Sequence, residues 1–191
     1  MTGVMITASH NPYHDNGIKV FKYGKKLFES EEAALETLLN QDEVLPSALS
    51  KGRSLAPIES YKLYYRLIHH MHVKTSLKIG LDLANGATYS IGKRVFQKIT
   101  PYLHVMGDEP DGKNINLGVG STHLESLMDL VKREKLDVGF AFDGDGDRVL
   151  AVDSDGNVVD GDCRIYVIAS YLKEKGKLNH QTVALTKMSN I

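Results

Sequence analysis

Apolar and polar positions change period several times along this chain, and each change predicts an element. Gly3-Val4-Met5-Ile6 reads as a buried strand, and Ile18, Val20 and the residues between them resume a strand after a polar interval. That interval opens with Thr7-Ala8-Ser9-His10-Asn11-Pro12, a loop, and closes with Asp15-Asn16-Gly17. The latter residues tolerate the positive φ angles that a tight reversal needs. Ser9 is therefore predicted on a loop held between two strands. Over 29–41, Leu35, Leu38 and Leu39 recur at helical spacing, with Ser30 as N-cap and Glu31 and Glu32 at the positive end of the dipole. Residues 42–56 carry Pro46 and Gly52 and read as a loop. Pro57 then opens a second helix with Ile58, Tyr61, Tyr65 and Ile68 on one stripe. The Tyr64-Tyr65 and His69-His70-x-His72 clusters read as the packed and solvated end of that helix, not as a ligand site.

A new unit begins near Thr75. Leu77, Ile79, Leu81 and Leu83 predict a strand that runs into an Asn85-Gly86-Ala87 turn. Ile91, Val95, Phe96 and Ile99 suit a helix. Thr122 and Glu125 form a capping-box pattern before Leu124, Leu127, Met128 and Val131 on another. A strand over 138–142 follows, then a hairpin of Val149–Val152 and Val158–Val159 around Ser154-Asp155-Gly156-Asn157. Residues 162–175 form a helix stopped by Gly176, and Thr182–Thr186 reads as one more strand. Strand–helix alternation from 75 to 180 predicts an α/β layer with mixed, substantially parallel sheets flanked by helices.

Composition narrows the classes without choosing one. A chain of 191 residues holds one large domain or two small ones, its apolar fraction of 42% is ordinary for a globular protein, and its net charge is −1. No basic face suggests nucleic acid. No apolar run approaches the ~18 residues of a membrane span, and no signal-peptide pattern opens the chain. The lone Cys163 cannot form an internal disulfide, which fits a reducing, cytoplasmic compartment.

The chemistry concentrates in Asp143-Gly144-Asp145-Gly146-Asp147-Arg148, directly after the apolar run 138–142. Three carboxylates this close repel one another, and alternate positions of an extended segment turn Asp143, Asp145 and Asp147 towards one point. The two glycines let the backbone bend around it. Hard oxygen donors suit Mg2+ or Ca2+, and the adjacent Arg148 suits an anion such as phosphate. An acidic surface turn is the plain alternative. A calcium-hand loop fails on detail. It needs Gly at its sixth position and Glu at its twelfth. Those positions hold Arg148 and Ser154 counting from Asp143, and Val158 and Arg164 counting from Asp153. A dehalogenase-type phosphatase also places Asp-x-Asp after a strand, but the Thr or Val that usually follows is missing.

The string Thr7-Ala8-Ser9-His10-Asn11-Pro12 with Asn16-Gly17-Ile18-Lys19 resembles the active-site loop of the α-D-phosphohexomutases, and Asp143–Arg148 resembles their metal loop. Further strings, Asn114–His123, Val152-Asp153, Val159–Asp162 and Met188-Ser189-Asn190, are similar to the branch of that family acting on glucosamine phosphates. The resemblance covers essentially the whole chain. It implies the end of a first domain over 1–74, a second domain over 75–180 and the opening strand of a third over 181–191, within a four-domain architecture. By the same resemblance, Ser9 carries a phosphoryl group, and Ser9, Asp143, Asp145 and Asp147 bind Mg2+. Lys19 or His10 handles the proton of the sugar hydroxyl, with a plain electrostatic clamp as the alternative for Lys19, and Arg148 meets phosphoryl oxygens. The implied partner is a phosphosugar, and a sugar 1,6-bisphosphate acts as intermediate and activator. The other hexose phosphates of the family, or a non-catalytic metal-binding module, are the alternatives. The first half of domain 1, the sugar-recognition loop and the far phosphate loop have no counterpart here. The chain alone is therefore expected to be inactive, and its opening strand to favour a homodimer or strand-paired association.

Overall fold

The structure is a computed structural model that describes residues 2–40, 66, 68 and 72–189. Two compact units are present, one comprising 1–7 and 17–73, the other 8–16 and 74–191. The loop expected over 42–56 and most of the helix expected from Pro57, with its Tyr and His clusters, lie outside the described residues; Arg66 and Ile68 are helical and Ile68 is buried.

In the first unit, β1 (Thr2–Thr7), β2 (Gly17–Lys22) and β3 (Lys25–Lys26) form an antiparallel sheet in which Thr7 pairs with Gly17. Tyr23 and Gly24, with φ of 52° and 77°, make the tight turn between β2 and β3. The turn expected at Asp15-Asn16-Gly17 is differently made. None of the three has a positive φ, because the strands are joined by the long loop 8–16 and need no sharp reversal there. Helix α1 (Glu29–Leu39) starts after Phe28, so Ser30 lies inside the first turn and is not the N-cap. The Glu31 carboxylate instead accepts the Phe28 N–H at 3.1 Å.

The second unit is a mixed five-stranded sheet in the order β5-β4-β6-β7-β8. Its strands are β4 (Ile79–Asp82), β5 (Leu103–Met106), β6 (Val138–Phe142), β7 (Val149–Asp153) and β8 (Val158–Val159). β4 runs parallel to β5 and β6, whereas the β6–β7 and β7–β8 pairings are antiparallel. The strand expected from Leu77 is short, and all four residues of β4 are buried because the strand is central and covered on both faces. Helices α2 (Tyr89–Ile99), α3 (Glu125–Glu134) and α4 (Gly161–Glu174) complete the unit. The capping box at Thr122 and Glu125 does not form. Leu124 is the N-cap of α3, and the turn before it closes through His123 N–H to Gly120 O. Helix α4 does end as expected. Gly176 (φ 65°) donates to Lys173 O, and Lys177 donates to Leu172 O. No strand forms over Thr182–Thr186, since a strand exists only as half of a ladder and no described segment pairs with this one.

The core explains how the strands come to end at one place. Gly80 and Gly139 are register partners on β4 and β6, and their missing side chains make a flat patch for α3. A Cβ on Gly139 would stand 2.9 Å from Val131 Cγ2, and one on Gly80 3.0 Å from Leu136 Cδ1. Leu127, Val131, Leu136, Ala141 and Val152 close the cluster. With the helix pressed this tightly to the sheet, the carboxyl ends of β4 and β6 are held side by side.

Candidate active site and metal centre

Both strand ends carry a buried aspartate. Asp82, the last residue of β4, accepts the Ala84 N–H at 2.9 Å and the Gly120 N–H at 2.6 Å, tying two loops to the sheet. Asp143 follows β6, is fully buried, and accepts the Arg148 N–H at 3.1 Å. The segment between them folds back through Gly146 (φ 75°), whose N–H reaches Asp143 O. Gly144 serves another purpose. Its φ is not positive; a Cβ there would run into the Ser9 carbonyl and stand 2.9 Å from Asn116 Nδ2.

This backbone brings one oxygen of each of Asp143, Asp145 and Asp147 within 4.8 Å of the others. Asp143 is buried, Asp145 half-buried and Asp147 exposed. The Asp143 carboxyl is held above its usual range, chiefly by burial, with the neighbouring Asp145 and Asp147 adding to the shift against the Arg148 N–H. Its Oδ2 is buried with no hydrogen-bond partner among the described residues. A buried, unsatisfied carboxylate oxygen facing two more carboxylates is the arrangement a hard divalent cation relieves, so the donor set fits such an ion.

Ser9 reaches the same place. It adopts φ 51°, uncommon for a residue with a side chain, and its Oγ lies 3.4 Å from Asp145 Oδ1 and 3.4 Å from His10 Nδ1. Both distances are at the long end for hydrogen bonds, and they put the hydroxyl beside the carboxylates. Arg148 Nε stands 4.0 Å from Asp147 Oδ1, with both side chains mostly exposed. It borders a cavity of about 470 Å³ lined also by Ser121, Thr122, Leu150 and Arg164. Arg164 is committed to the backbone there, donating to Val149 O and Asp160 O. Lys19 belongs to the other unit, on β2 opposite Met5, where it lines a groove of about 620 Å³ with Ile18, Val20, Leu27 and Leu35. Ser9, His10, Asp143, Asp145, Asp147 and Arg148 thus lie together in one unit, and Lys19 is described apart from them.

Sequence reasoning did not single out Asn116 or Asp82. Asn116 is 4% exposed, and its Nδ2 donates to Ser9 O at 2.9 Å and Asn11 O at 2.8 Å. An Asn among glycines, in Asn114–Gly120, is a signal for a left-handed turn residue, and Asn116 has φ 57°. Asp82 gave no signal beyond being a charge inside an apolar strand.

Comparison with known proteins agrees with this geometry. Family models described as phosphoglucomutase/phosphomannomutase, alpha/beta/alpha domain I and domain II match residues 1–45 and 62–156. The phosphoglucosamine mutase of Halalkalibacterium halodurans is 45% identical over 99% of this chain and 43% of its own length. That of Bacillus cytotoxicus is 46% identical over 99% of this chain and 44% of its own length. The chain therefore spans less than half the length of these curated relatives. Among solved structures, a phosphoglucomutase/phosphomannomutase family protein from Burkholderia thailandensis superposes with a TM-score of 0.66 at 22% identity, over 91% of this chain and 38% of that one, a likeness of fold. With two consecutive family domains matched, and the serine loop and carboxylate string gathered at the ends of β4 and β6, the chain belongs to the phosphoglucomutase/phosphomannomutase family.

Proposed function

We propose that this chain carries the phosphoserine and metal loops of a cytoplasmic phosphohexomutase that interconverts glucosamine 6-phosphate and glucosamine 1-phosphate. The observation that carries the reading is the approach of Ser9 Oγ to Asp145 Oδ1, at 3.4 Å, beside a carboxylate trio with an unsatisfied buried oxygen. The name shared by the relatives at 45–46% identity favours glucosamine over the other hexoses of the family. In this reading residues 1–74, 75–180 and 181–191 are the end of domain 1, domain 2 and the start of domain 3.

Asp143, Asp145, Asp147 and Ser9 would hold Mg2+. When bound, the ion neutralises charge on the phosphoryl oxygens and on the serine oxygen. The residues do the rest. Phosphorylated Ser9 gives its phosphoryl group to the free hydroxyl of the sugar phosphate. The bond from Ser9 Oγ to phosphorus breaks as one forms to the sugar oxygen, and the hydroxyl proton passes to Lys19 or His10. The sugar 1,6-bisphosphate turns over, and Ser9 Oγ takes back the phosphoryl group from the other end, returning the proton. His10, with Nδ1 already 3.4 Å from the serine oxygen, can hold that proton. Lys19 serves either this role or that of an electrostatic clamp. Arg148, exposed at the rim, offers its guanidinium to phosphoryl oxygens.

Incubation of the full-length enzyme with Mg2+ and a hexose 1,6-bisphosphate, followed by intact-mass and peptide analysis, tests this. One phosphoryl group on Ser9, absent from Ser9→Ala, is the expected outcome. A phosphoryl group on Ser121 or Thr122 instead would overturn the assignment. Competition by glucosamine, glucose and mannose phosphates in the same assay decides the sugar.

A further inference from the structure

We propose that Asn116 is the positioning residue of Ser9, holding the serine loop in the one conformation from which its hydroxyl faces the carboxylates. The inference rests on the reading of Ser9 given above. Both hydrogens of the Asn116 amide are used on that loop, one on Ser9 O at 2.9 Å and one on Asn11 O at 2.8 Å. Two carbonyls so close in sequence converge on a single amino group only when the chain between them curls, and Ser9 is curled, at φ 51°. The partners also dictate which way the amide faces, since two carbonyl oxygens accept from NH2 and repel its oxygen.

The cost falls on the other side of the same group. Asn116 Oδ1 is buried and has no hydrogen-bond partner among the described residues. Packing does not account for that orphan acceptor, and the left-handed backbone at φ 57° would be met as well by glycine, so neither explains a buried amide aimed at two carbonyls. The residue is itself firmly placed. Its N–H donates to Ala84 O at 2.9 Å, Ala84 N–H donates to Asp82 Oδ1, and Ser121 N–H donates to Phe142 O at 2.9 Å, one residue before Asp143. One buried amide thereby references the serine to the strand ends that carry the carboxylates. Gly144 completes the fit from the metal-loop side, where any Cβ would press on Ser9 O.

The test uses the purified chain, with Mn2+ as the probe, in four variants: Ser9→Ala, Asn116→Gly, Asn116→Asp and Ser9→Ala with Asn116→Gly. Glycine accepts the left-handed backbone at 116 and removes the whole side chain, so Asn116→Asp, which keeps the side chain's size, controls for the added backbone freedom. Aspartate keeps the size and turns the donors into acceptors. Amide hydrogen exchange at residues 9–11 should rise roughly tenfold in both Asn116 variants, as two hydrogen bonds are lost, while β4 and β6 keep the parent's protection. Mn2+ affinity should fall about tenfold in Ser9→Ala and in Asn116→Gly, and no further in the double variant. Unchanged exchange at 9–11, exchange rising equally in β4 and β6, or additive losses of Mn2+ affinity would each overturn the positioning role. If Ser9→Ala binds Mn2+ like the parent, Ser9 as a ligand fails, and the exchange data still decide whether Asn116 holds the loop.

Discussion

Single residues at this site do work that their type alone does not announce. Gly144 is needed for close approach and Gly146 for its left-handed backbone, although the two look interchangeable in the string Asp143–Asp147. Gly144→Ala should therefore displace the serine loop and cost about 1–3 kcal/mol, read as a lowered melting temperature. Divalent ions give a second expectation at this scale. Mg2+ should raise the melting temperature of the parent by relieving the repulsion among the carboxylates, and Asp145→Asn should lose most of that rise. Equal shifts in both proteins would place the ion elsewhere. The carboxylate trio and Ser9 were legible in the sequence because charge clustering and a distinctive string announce themselves. Asn116 was not, since its importance lies in two hydrogen bonds to a loop more than a hundred positions away in sequence.

At the scale of elements, periodicity located β4, β6, β7, β8 and the three helices of the second unit, missed the short edge strand β5, expected a strand over 182–186 that does not form, and placed the N-caps of α1 and α3 wrongly. Phe28 and Leu124 sit at N-caps where Ser30 and Thr122 look better, because the tertiary position of each helix overrides a local gain of about 1 kcal/mol. The registered glycines 80 and 139 were equally hidden, since their meaning appears only once β4 and β6 pair. Gly139→Ala should destabilise the second unit by about 1–3 kcal/mol. Leu127→Ala, which opens the same contact, should cost about 2–5 kcal/mol in denaturant unfolding. The β7–β8 hairpin gives a pH expectation. The Asp153 carboxylate accepts from Asn157 and Asp155 N–H groups, which holds it below the ordinary carboxylate range. A lowered native pKa contributes stability above the unfolded value near about 3.9 and loses it as pH falls through the native value. Exchange protection of the turn should collapse in that acid window in the parent, and Asp153→Ala should flatten the dependence. Asp82 acts with the opposite sign. Burial raises its pKa, so its charge opposes folding at neutral pH and protonation relieves that opposition as pH falls.

For the whole molecule, the exposed apolar side chains matter most. Contrary to the buried strand expected over Gly3–Ile6, Val4 and Ile6, with Ile18, are each more than 60% exposed on the first sheet, and Tyr166, Val167, Ile168 and Tyr171 are exposed on α4. Apolar area on that scale invites association. Sedimentation velocity at rising concentration should show the chain associating, and Val4→Lys with Ile18→Lys should weaken this if the first sheet is responsible. No helix among the described residues is long and apolar enough to cross a membrane.

The polypeptide passes between its units at residues 7–8, 16–17 and 73–74, and it is residues 8–16 that carry Ser9. Inheritance is constrained by that threading. A recombination event that joined two relatives after residue 73 would take Ser9 from one parent and both the carboxylates and Asn116 from the other. Such a hybrid works only if a foreign loop offers its carbonyls at the same two points. Grafting residues 8–16 together with 74–191 keeps the set intact, whereas a single crossover splits it.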